Sequence, residues 1–74
     1  METDEARLPL LVTPMVAKVN FYYLIERART RRERFLIVRR RKPEAIILGI
    51  DDFLSITGLG QDWVDDARKA AQQT

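Results

Sequence analysis

Hydrophobic positions along the chain fall into short blocks with different periods. Residues 1 to 7 are polar and are expected to be mobile. "LPLLV" follows, a brief apolar run in which Pro9 cannot donate to a ladder, so an edge strand is predicted. Thr13 and Pro14 then form a helix start, with threonine as N-cap and proline at the first helical position. The residue before a proline is pushed out of the helical region, which is what an N-cap requires. From Pro14 to about Arg29 the pattern is helical. Ala17, Phe21, Leu24, Ile25 and Ala28 recur on one face, predicted to pack on a sheet. Val16, Val19 and Tyr23 lie roughly opposite, where a monomer's surface helix should be polar. Two apolar faces call for two covers, and a second copy of the chain is the simplest one.

"FLIVRR" and "EAIILGI" are rich in Ile, Leu, Val and Phe and are separated by a short charged turn containing Pro43, which predicts a β-hairpin. Neither run alternates cleanly. Phe35 and Ile37 face one way and Leu36 and Val38 the other; Ile46, Leu48 and Ile50 oppose Ala45 and Ile47. Both sheet faces are therefore expected to be covered. Asp51 is placed to cap a short helix that Gly58 ends. After the "GLGQ" joint, Asp62, Asp65 and Asp66 precede Arg68 and Lys69, an order that suits a helix dipole. That last helix carries too little apolar surface to fold unaided. The expected class is a small α+β domain.

Length and composition sharpen this picture. With 74 residues, the chain forms one marginal core and needs reinforcement. It has no Cys and no His, so disulfides, the usual zinc sites and Cys- or His-based nucleophiles are excluded. There is no Gly-rich phosphate loop and no serine elbow. Asp51 and Asp52 are adjacent, so they diverge, and a helix cap accounts for them better than shared acid–base work. An enzyme is not expected, nor a cofactor. Self-association remains as the source of extra core. The acidic start, with Glu2, Asp4 and Glu5, is unlike a signal peptide, and the longest apolar run, Ala45 to Ile50, is far below the roughly 18 residues of a membrane span. A cytoplasmic protein is expected.

The net charge of +2 is unevenly spread. Lys18 to Lys42 holds ten basic residues against Glu26 and Glu33, a balance of +8, which leaves −6 for the remainder. A basic middle between acidic ends points to a polyanion-facing surface, or more plainly to a solvated charged face. Its densest part is Arg39, Arg40, Arg41 and Lys42 at the hairpin tip. Four like charges there repel one another unless phosphates neutralise them with counterion release. Charges at strand ends also discourage edge-to-edge aggregation, which is the competing explanation. Arg29, Arg31, Arg32 and Arg34 fit flanking phosphates, solvation or an acidic partner equally well.

The order of the strand, the Thr13 cap, the helix with Asn20 and Phe21 before Leu24 and Ile25, "IVRRRKPEAIIL" and then "DDF" resembles the Phd/YefM antitoxins of bacterial type II toxin–antitoxin pairs. Val38 to Pro43 and Ala45 fall on the family's hairpin pattern without a gap, and Asp51, Asp52 and Phe53 stand at its acidic–aromatic unit. The resemblance runs from about Leu11 to Ile56. It departs where Val38 replaces the usual Thr, Arg41 the usual Gly and Lys18 an Arg; lysine keeps the charge but loses the bidentate fork.

The resemblance implies a β-α-β-β-α fold whose sheet and first helix form a homodimer, followed by a C-terminal helical tail. Residues 1–57 would dimerise and bind operator DNA, repressing the chain's own operon. Residues 58–74 would bind a toxin of RelE/ParE type or a Doc-like enzyme. DNA contact falls to Thr13, Lys18, Arg39, Arg40, Arg41 and Lys42. Toxin contact falls to Phe53, Leu54, Ile56, Leu59, Trp63 and Val64, with Trp63 a preferred anchor type. The competing expectation is a small dimeric interaction module, or a transcriptional regulator without a toxin, whose basic belt meets an acidic partner.

Overall fold

The computed structural model describes residues 7–72; the acidic segment at residues 1–6 lies outside them. A three-stranded sheet and four helices make a mixed α+β unit. Strand β1 (Leu10–Val12) pairs parallel to β2 (Phe35–Arg39), with Leu10 opposite Phe35 and Val12 opposite Ile37. Strand β3 (Lys42–Ile47) pairs antiparallel to β2, so the order is β1-β2-β3 and both β1 and β3 are edges. Pro43 is tolerated because β3 is an edge and because the register shifts beside it, from Ile37 opposite Ala45 to Val38 opposite Pro43.

The stretch from Pro14 to Arg29, expected as one helix, is two. Helix α1 (Pro14–Val19) starts as predicted: the Thr13 hydroxyl accepts from the Val16 N–H at 3.2 Å and Pro14 opens the first turn. It stops at Asn20. Both the backbone N–H and the side-chain amide of Asn20 donate to the Val16 carbonyl at 3.0 Å. A short amide side chain that competes for backbone partners favours such a break. Helix α2 (Phe21–Arg31) begins at the next residue and ends on Arg32 in the left-handed conformation.

Ala17, Leu24, Ala28 and Phe35 are buried, with Val12, Ile37 and Ile47 packed against them. Small residues on α1 and α2 let the helices lie close to the sheet. Phe21 and Ile25, expected in the same stripe, are 48% and 38% exposed. Val16, Val19 and Tyr23 are exposed, as expected of a second apolar group. The other sheet face carries Leu11, Leu36 and Ile46 in register, and Leu11 and Ile46 are exposed. Within one chain the second face of the sheet is therefore uncovered.

Helix α3 (Ile50–Thr57) is capped by Gly49, not by Asp51, which sits inside the first turn with Asp52. It ends at Gly58, whose φ of 75° is left-handed and whose N–H donates to the Leu54 carbonyl. Helix α4 (Gln61–Gln72) follows. Asp52 is not a cap because it is buried in an ion pair: Arg34 Nε donates to Oδ2 and Nη2 to Oδ1, both at 2.8 Å. The third arm of Arg34, Nη1, donates to the Arg7 carbonyl. One guanidinium thus ties the segment before β1, the entry to β2 and the start of α3.

The hairpin turn is strained. Arg39 opposes Lys42, which leaves Arg40 and Arg41 as a two-residue loop with φ of 53° and 66°. Positive φ at both central positions is the mark of a type I′ turn, normally filled by Asn-Gly or Gly-Gly. An L-residue there costs roughly 1–2 kcal/mol. Arg41→Gly is therefore expected to stabilise the fold by about 1 kcal/mol, raising the thermal midpoint by about 4–8 °C, while weakening any binding that uses the removed charge. Thermal unfolding followed by circular dichroism checks the gain, and an unchanged or lowered midpoint would show that the turn bears no strain.

Candidate nucleic-acid interface and apolar groove

The hairpin tip and the start of α1 come together. Leu11, Val12, Thr13, Val38, Arg40 and Arg41 line one open cleft. Two of the sequence-predicted elements, the cation knot and the threonine cap, thus share a surface. The Thr13 hydroxyl accepts from the helix, which leaves its own proton free to donate to an anion. Arg39 donates to Glu44 at 2.8 Å on the exposed strand edge. Arg40, Arg41 and Lys42 are exposed and make no ion pair among the described residues. Lys18 is exposed on α1 but does not line the cleft.

The second group of arginines divides. Arg29 pairs with Glu26 at 2.7 Å. Arg32 terminates α2. Arg34 is removed from the surface altogether, at 5% exposure, and cannot reach a phosphate. Arg27 packs over the Tyr23 and Phe35 rings. Its Nη2 donates to Glu33 Oε1 at 2.6 Å, while Nε and Oε2 lie as close without hydrogen-bond alignment. The hydrogen bond to Glu33 is the main reason its guanidinium is held protonated even more firmly than usual. Hydrogen bonding from Arg34 likewise holds the Asp52 carboxyl below its ordinary value, against the opposing effect of burial, with the charges of Arg34, Arg32 and Arg7 adding to it.

The residues expected to hold a protein partner lie at the other end of the molecule. Phe53 and Trp63 pack on each other, ring centroids 5.2 Å apart, so α4 folds back on α3. Leu54 and Val64 are half-buried; Ile56, Leu59 and Trp63 are exposed. Phe53 and Trp63 also form one wall of an apolar groove whose other lining includes Phe21 and Ile25 on α2, Ile46 on β3 and Ile50 on α3. Those four residues were not among the predicted site residues. The visible signal was an apolar stripe on α2 wider than its small core needs. A smaller hollow beside Ala28, Gly49 and Ile50 continues the groove.

Charge is segregated between the two ends. From α3 onward the described residues hold Asp51, Asp52, Asp62, Asp65 and Asp66 against Arg68 and Lys69, and Asp52 is neutralised by Arg34. Among the described residues no cluster of ligating side chains could hold a metal ion, and no helix is long and apolar enough to cross a membrane. No family model, curated protein or solved structure matches the chain.

Proposed function

We propose that the chain is an antitoxin of Phd/YefM type: a homodimer that binds operator DNA through the hairpin tip and the start of α1, and neutralises a toxin through α3 and α4. The observation that carries the reading is the meeting of Thr13 with Arg40 and Arg41 at one cleft, with both arginines held at positive φ. Strain kept at a tip with no structural need for arginine is a mark of function. Unpaired cations on a projecting turn suit a phosphate backbone, where released counterions supply the free energy. Dimerisation is supported by a buried apolar core of four residues beside many exposed large hydrophobics, more than a lone soluble chain normally shows.

The test is a gel shift with the DNA upstream of the chain's own operon, against random duplex, at several salt concentrations. Preference for the upstream DNA is expected, with a steep fall in affinity as salt rises. Replacing Arg39, Arg40 and Arg41 together with Ala should flatten the log–log salt slope by about 0.9 for each phosphate that is no longer neutralised, without dissociating the dimer. Binding that never discriminates upstream from random DNA would remove the repressor half of the reading. The exposed apolar surface also fits a pure interaction module; unchanged DNA behaviour in the triple variant with loss of a protein partner would favour that alternative.

A further inference from the structure

We infer that the groove between α2 and α4 is a docking site for a cationic amphipathic helix, seated on residues of both halves of the chain. This rests on the antitoxin reading for the identity of the partner, not for the site. Every residue lining the groove is apolar. Phe21, Ile25 and Trp63 each keep a large share of their surface open to solvent, so the groove is available in the single chain. An open apolar channel of this kind accepts the apolar face of a helix, read as anchors one turn apart.

Charge decides which helix. Asp51 adjoins Ile50, and Asp62 and Asp66 flank Trp63 on α4, all exposed. Asp65, also on α4, has a cation nearby, Arg68 at 3.9 Å. The one cation lining the adjoining hollow, Arg29, is paired with Glu26 at 2.7 Å. Lys69 is the remaining exposed cation of α4, so Asp51, Asp62 and Asp66 outnumber it, and an arriving helix with basic flanks is steered in while an acidic one is repelled. The Phe53–Trp63 stack supplies the aromatic anchor, the residue type that dominates binding energy at interface centres. The site crosses the boundary near Gly58: Trp63 lies beyond it, and the other lining residues precede it, of which Phe53 alone was expected to meet a toxin.

Trp63 is the only tryptophan in the chain and stands in the wall, so it reports occupancy directly. The full chain would be titrated with a short amphipathic peptide of Leu and Lys, and with its counterpart of Leu and Glu. A saturable blue shift of Trp63 emission is expected with the Lys peptide, weakened by salt, and at least tenfold weaker binding with the Glu peptide. Asp62→Lys with Asp66→Lys, both exposed on α4, should reverse that preference; because Asp62 lies in the first turn of α4, circular dichroism of the variant checks that the helix is kept. Equal response to both peptides, or none, overturns the site. So does a Trp63 shift that follows protein concentration alone, which would mean that a second copy fills the groove.

A second arm uses the product of the adjacent reading frame, captured on the tagged chain. Ile25→Glu and the double lysine variant should each lower capture at least tenfold. Capture that is strong but insensitive to both would overturn the groove and leave the antitoxin reading standing. No capture in any form, with the peptide preference intact, would do the reverse.

Discussion

Asp52→Asn is expected to destabilise the chain by about 3–5 kcal/mol, the usual cost of removing one partner from a buried ion pair. The substitution keeps the shape and removes the charge. Arg34 is then left 5% exposed, its positive charge uncompensated. A domain of this length holds roughly 4–11 kcal/mol in total at the usual value per residue, so the variant sits close to unfolding. The pair also joins α3 to the entry of β2, so its loss releases the segment that carries the groove. Urea unfolding at fixed protein concentration measures the effect. A control separates charge from packing: Arg34→Met with Asp52→Leu should recover most of the stability, because two apolar groups in that space need no partner. If Asp52→Asn costs less than about 1 kcal/mol, the usual net worth of a single hydrogen bond, the pair is not buried as described.

The same pair fixes the response to acid. In the unfolded chain Asp52 takes up a proton near 3.8. In the folded chain the hydrogen bonds from Arg34 hold its affinity for the proton below that. Between the two values the unfolded state binds more protons, so the contribution of Asp52 is complete above the unfolded value and drains away as the pH falls through the folded one. Acid titration of the wild-type chain should show this loss, and Asp52→Asn should lack that part of the curve.

Gly49→Ala is expected to cost about 2–3 kcal/mol, in the upper part of the range for overpacking. A Cβ at Gly49 would lie 2.5 Å from the Ala28 carbonyl oxygen, 3.1 Å from its carbon and 3.3 Å from the Arg29 Cα. All three are backbone atoms of α2, so no side chain can swing away. The start of α3 would have to lift off α2, and the hollow beside the groove would widen. Gly60→Ala is the comparison, since nothing lies within 4 Å of its added carbon; it should fall within about 0.5 kcal/mol of wild type, as surface changes do. Chemical denaturation of the two variants side by side decides the matter, and equal midpoints would rule out the close approach.

What the sequence revealed was local. Thr13-Pro14 announced a helix start, Gly58 a helix end, and the charged break between two β-branched runs a hairpin, because each is dictated by neighbouring residues. The structure places all three there. The break at Asn20 was harder to foresee, since the apolar spacing runs through it and only the amide's competition for the Val16 carbonyl interrupts the helix. The Arg34–Asp52 pair was out of reach: its members are 18 residues apart, and each has a plausible surface role when read alone. The groove was half legible. Trp63 stood out as an anchor, but Phe21 and Ile25 read as core, because helical period shows that residues share a face and not whether a single chain covers it.

Strand β3 runs from Lys42, beside the cationic turn, to Ile47, at the edge of the apolar channel. At the usual rise its length is about 17 Å, roughly twice the distance over which physiological salt screens a charge, about 8 Å. Under the proposed function, basic flanks on a helix at one end would be largely screened from phosphates at the other. On that reading the strand is an electrostatic spacer, and two ligands that would compete for cations at close range would be carried by one small chain at the same time.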